Sequence, residues 1–165
     1  MKTLLAQFRT TNHVLSLSLA DLTDDVARRR ARGGEGPSIV WTVGHLLSHR
    51  IKILGMLGDT RPNPWTERFD NSPATGGADY PTLTAMCAEW ATLHAALEAA
   101  CEDRAGALDQ AAPGTRAHGE TTIRDKVRFL AWHEGYHVGV IGALRKSAGL
   151  AGPAEVVQAA SQKKK

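Results

Sequence analysis

Cysteine is scarce: the chain has two, Cys87 and Cys101, in 165 residues. Both fall in one apparent helix, where a rise of 1.5 Å per residue sets their Cα atoms ~21 Å apart. A disulfide needs less than ~7 Å. The pair cannot close within a continuous helix, so reduced thiols and a cytoplasmic setting are expected. A strong charge of one sign is also missing. The net charge is +3, and aromatic residues are only 5% of the chain. Nucleic-acid binding asks for a larger basic face with rings for stacking, so nucleic acid is not an expected partner. Arg28, Arg29, Arg30 and Arg32 cluster, and Lys163, Lys164 and Lys165 end the chain. They read as a solvated helix end and a frayed tail. No run approaches the ~18 apolar residues of a membrane span. The opening MKTLLAQFRTTNHVLSLSLADL begins like a signal peptide. However, Gln7, Arg9, Asn12 and His13 interrupt it and no clean cleavage site follows, so it reads as a first helix. No stretch is a convincing strand.

What remains is ordinary for one globular domain: 42% hydrophobic and 22% charged residues. Four long helical patterns account for most of it. The first, over residues 2–31, carries Phe8, Asn12, Leu15, Leu19, Leu22 and Val26 in one stripe and stops at Gly33, Gly34 and Gly36. The second, over 38–58, has Ser38 as its N-cap and Val40, Val43, Leu47, Ile51 and Leu54 as its stripe. A loop of about 22 residues follows, long for a compact domain, with Trp65 and Phe69 expected to pack it down. The third pattern covers 81–102 and starts at Pro81. The fourth covers 121–148, with Thr122 and Asp125 as a capping box and Gly149 as its close. The expected fold is all-α: an up-down-down-up four-helix bundle over residues 1–150, with a long loop between its second and third helices and 151–165 as a flexible C-terminal tail.

The segment HEGYH, His133 to His137, fits H-E-x-x-H. At i and i+4 the two histidines share one side of a helix, near the centre of its apolar stripe. Buried imidazoles are costly unless they are hydrogen-bonded or ligate something, and neutral imidazole is a good ligand for zinc or nickel. A protease reading fails on the third ligand. The positions that hold glycine and histidine in metzincins are Val140 and Ala143 here, no histidine follows His137, and the single later glutamate, Glu155, lies beyond a Gly-Pro break. A useful site still needs a third donor. Periodicity does not choose it among His13, His45, His49, His94 and His118.

Two segments together resemble a known family. SIVWTVGHLLSHR is similar to the first signature of the DinB/YfiT-like family, with a Trp and then a His-Leu pair on the second helix. WHEGYHVGVIGALRKSAGL resembles its second signature. The resemblance spans roughly residues 1–150. It implies a divalent metal, Zn2+ or Ni2+, held by His45, His133 and His137. It also implies a small-molecule substrate and a homodimer. Some members transfer low-molecular-weight thiols such as bacillithiol, mycothiol or glutathione, so a metal-dependent thiol S-transferase is the expected activity. A metal-dependent hydrolase and a non-catalytic metal-binding stress-response module are the alternatives. Glu134 is expected either to hydrogen-bond a metal ligand or to pair with a nearby base. His49 and Trp41 are expected to line the substrate site, and Arg145 to hold an anionic substrate tail or to sit as a charge at a helix end.

Overall fold

The structure, a computed structural model, describes residues 2–70, 74, 77–114 and 118–163, without the side chains of Lys2 and Arg32. Lys164 and Lys165, read above as part of a frayed end, lie outside the described residues. Seven α-helices are found among those described: α1 (Lys2–Leu19), α2 (Asp24–Arg28), α3 (Ile39–Met56), α4 (Thr66–Phe69), α5 (Leu83–Asp103), α6 (Ile123–Ser147) and α7 (Pro153–Gln162). No strand occurs among the described residues, so the fold is all-α. None of these helices is long and apolar enough to cross a membrane.

The four long helices pack around one core. α3 lies against α5 and α6, and α1 lies against the same two helices. Described residues of α1 and α3 make no close backbone approach, and neither do those of α5 and α6, so these are the diagonal pairs. Phe8 and Leu15 of α1 meet Val43, Leu47 and Leu54 of α3, Met86 and Trp90 of α5, and Val127 and Ile141 of α6 in one buried cluster. Burying side chains of this size contributes ~1.5–3 kcal/mol each before entropy is counted.

The caps explain why the helices start where they do. Ser38 accepts from the Trp41 amide, Thr82 from Ala85, and Thr122 from Asp125, whose own carboxylate accepts from the Thr122 amide. The last pair is a closed capping box, as the sequence suggests. Gly149, at φ 78°, ends α6 in a left-handed turn. There Leu150 N–H reaches the Arg145 carbonyl and Gly149 N–H the Lys146 carbonyl, the Schellman pattern.

Three sequence expectations need correction. The first pattern is two helices, because Thr23 caps a new one by accepting from Val26 N–H, and Ala27 rather than Val26 is buried in it. Residues 153–162, expected as a flexible tail, form α7, which packs on α1 and α6. Pro153 at its first turn lies where a Cβ on Gly142 would be 2.8 Å away, so that glycine lets α7 approach α6. Finally, Arg28 and Arg30 are not simply solvated. Arg28 donates to the carbonyls of Gly77, Tyr80 and Pro81, and Arg30 to those of Gly36 and Ala74, so both tie loops to the bundle.

Candidate metal centre

The site begins with a glycine. Gly44 sits on the buried face of α3, and a Cβ there would lie 2.6 Å from the Phe69 ring. Without it the ring presses on the helix, and α4 settles beside α3. That places the Phe69 carbonyl 2.6 Å from Nδ1 of the next residue, His45. A carbonyl only accepts, so His45 Nδ1 carries the proton and Nε2 presents a lone pair. Trp41, one turn earlier, stacks on the His45 ring with centroids 5.1 Å apart and planes 12° apart, and fixes the ring from the other side.

That lone pair points at α6. His133 Nε2 lies 3.3 Å from His45 Nε2 and 3.0 Å from His137 Nε2. One proton on or near His133 Nε2 can bridge one of these contacts well. The other is then left without a hydrogen between its nitrogens. A cation among the lone pairs satisfies both. Nitrogen donors ~2.0–2.1 Å from a shared tetrahedral ion stand ~3.3 Å from each other, close to the separations seen. The donor set therefore fits a divalent metal.

A fourth imidazole joins them. His49 is one turn along α3 from His45, and ligand nitrogens of His45, His49 and His133 all lie within 4.8 Å of one another. His49 ring centroids are 4.4 Å from His45 and 4.6 Å from His133. The compact trio thus contains His49, while His137 has its Nε2 3.0 Å from His133 Nε2 and its ring centroid 4.7 Å from that of His45. Asp70 Oδ1 is 3.2 Å from His49 Nε2 but off the hydrogen-bonding direction, so both ring nitrogens of His49 are buried without a hydrogen-bond partner. Asp70 also binds Lys52.

Burial keeps all four rings neutral. Desolvation, then the field of the neighbouring histidines, pushes His49 down to about 2, His137 to about 3 and His133 to about 4. His45 is lowered too, first by desolvation, with the Phe69 carbonyl acting against it. Neutral imidazole is the form that ligates.

A family match spans all four of these histidines. The profile of the DinB superfamily matches residues 7–141, well over half of the chain. The chain belongs to the DinB superfamily. A search of curated proteins finds no match. The structure brings His45, His49 and His133 into one group that could hold a metal ion, with His137 beside His133.

Other expected site residues are placed elsewhere. Of the two roles expected for Glu134, the structure shows the pairing with a base. Arg50 Nε and Nη2 donate to its two oxygens at 3.1 and 2.9 Å, and Thr11 Oγ1 donates to it as well. All three are buried, with the Arg50 guanidinium 3.3 Å over the Trp90 ring. Arg145 is fully buried eight residues beyond His137, ~12 Å along the helix. It donates to Asp21, the Ser18 carbonyl and the Ala151 carbonyl. It ties α1 to the end of α6 and is not part of the cluster. His94 lies on α5, 3.8 Å from Glu98, and His13 is exposed.

Sequence reasoning did not find the cleft beside the cluster. It has a volume of about 510 Å³, and His49, Lys52, Met56, Lys126, Phe129 and Leu130 help to line it. His118 stacks on Phe129 at 4.3 Å and forms part of its wall. Nor did sequence reasoning assign roles to Asp70 or to the Phe69 carbonyl. Gly44 directly before His45 was the available signal, since a glycine on a buried helix face marks close approach by another element.

Proposed function

We propose that the protein is a metal-dependent transferase that joins a low-molecular-weight thiol to a small electrophile. The observation that carries it is the buried group of neutral imidazoles opening onto a 510 Å³ cleft. His45, His133 and His137 hold the metal, Zn2+ or Ni2+, as the family signature implies. Bound there, a divalent ion lowers the pKa of a thiol or water beside it. Thiol chemistry itself is what the family resemblance implies.

The chain's own residues supply orientation. The Phe69 carbonyl and the Trp41 ring fix His45. Phe129, Leu130 and Met56 give the cleft an apolar wall for the body of the electrophile. In the transfer the sulfur forms the new S–C bond, the thiol proton passes to solvent, and the leaving group departs with its electron pair. Transfer to a thiolate needs no general base. This suits a site where Glu134 is held by Arg50 and Thr11.

The same commitment of Glu134 supports one rival reading, a non-catalytic metal-binding module. The two separate in a conjugation assay on metal-loaded protein with monochlorobimane and a panel of thiols. Transfer predicts turnover with at least one thiol, lost in His133→Ala. Bound metal with no turnover for any thiol supports the rival.

A further inference from the structure

The sequence places two i, i+4 histidine pairs on two helices that pack together: His45 and His49 on α3, His133 and His137 on α6. Such spacing puts each pair on one helix side. In helical bundles, metal sites are built from donors on facing helices. Three of the four rings suffice for a catalytic ion, yet the structure draws His49 into one group with His45 and His133 and sets His137 Nε2 3.0 Å from His133 Nε2. His49 is the ring with the least else to do. Neither of its nitrogens touches solvent or has a hydrogen-bond partner. Leaving a buried polar atom unpaired costs ~1–3 kcal/mol. A histidine that served only to fill space or to line a pocket would be expected to find one. Instead, ligand nitrogens of His49, His45 and His133 lie within 4.8 Å of each other. The buried Asp70 carboxylate stands 3.2 Å from His49 on the same side, where its negative charge favours a cation in the cluster.

We infer that His49 is a fourth histidine ligand, and that this centre holds its metal with four imidazoles, a pair from each of two helices. This rests on the metal reading above and sharpens it. Of the four rings, His49 is the one that lines the cleft. It is therefore the ring of the four that an incoming ligand would meet first.

The test is X-ray absorption on the full-length protein loaded with one equivalent of Zn2+, which counts imidazoles through their multiple scattering. Zn2+ affinity is measured in parallel. The inference predicts four imidazoles in the wild type and three in His49→Ala and His49→Asn. It also predicts a Zn2+ Kd raised beyond the ~10–100-fold that loss of an outer-shell partner brings. Circular dichroism confirms the helical content of each variant, and the wild-type count stands without any variant. Three imidazoles in the wild type, or the same count with and without His49, overturns the inference and leaves the three-histidine centre intact. A wild-type chain that takes up no stoichiometric Zn2+ overturns both.

Discussion

Glu134 lies between His133 and His137 in sequence and serves the core in space. Its carboxylate accepts from Arg50 and Thr11, and so joins α6 to α3 and α1. Removing one partner of a buried ion pair leaves the other charge uncompensated, at a cost of ~3–5 kcal/mol. Glu134→Ala should therefore lower the urea midpoint sharply, with Glu134→Gln less severe because it still accepts a hydrogen bond. A small effect from Glu134→Ala would contradict the placement. Gly44→Ala puts a methyl against the Phe69 ring, at ~1–3 kcal/mol for overpacking. It should also weaken Zn2+ binding, because the carbonyl that orients His45 shifts with the ring. If thermal unfolding and Zn2+ titration of Gly44→Ala match the wild type, that chain of contacts is wrong. At this scale the i, i+4 histidines were legible, since helical spacing alone puts them on one side. The partner of Glu134 was not, because Arg50 lies 84 positions away and nothing local announces it.

Two helix starts, those of α3 and α6, were legible from the side chains that cap them. Ser38 and Thr122 carry their signal within four residues. Thr122→Ala should cost ~1 kcal/mol, read by urea denaturation. The same box sets a pH dependence. The hydroxyl and amide of Thr122, with those of Thr121, hold Asp125 down to about 2 from an ordinary 3.8. A carboxylate with a lowered folded-state pKa stabilises the fold above its unfolded value, and that contribution disappears as pH falls through the folded one. The stability gap between wild type and Asp125→Ala should thus be constant above pH ~4 and shrink from there toward pH 2. A gap that widens on acidification would contradict the box. The break after Leu19 and helix α7 were not legible, because tertiary partners decide both. Asp21 leaves the helical path where Arg145 binds it, and Gly142 makes room for Pro153.

The whole molecule is a bundle whose α3 and α6 meet through imidazoles instead of a continuous apolar seam. Both nitrogens of His49 and Nδ1 of His133 and His137 are buried without hydrogen-bond partners, a local loss of stability that a bound cation would offset. A ligand bound only by the folded state stabilises it by ~2.7 kcal/mol at a hundredfold excess over Kd. For a chain of this length that corresponds to about 5–10 °C in Tm. Zn2+ should raise the Tm of the wild type by that order and leave His133→Ala unmoved, as differential scanning calorimetry would show. The family resemblance gave the sequence its reading of His45. Geometry supplied the reason, in the Phe69 carbonyl that turns Nε2 toward α6. The most direct measurement is the metal content of the purified, untagged chain by mass spectrometry, beside that of His133→Ala and His137→Ala. The account predicts about one divalent ion per wild-type chain and none retained by either variant. A wild type without metal, or a His133→Ala chain that keeps a full equivalent, would contradict it.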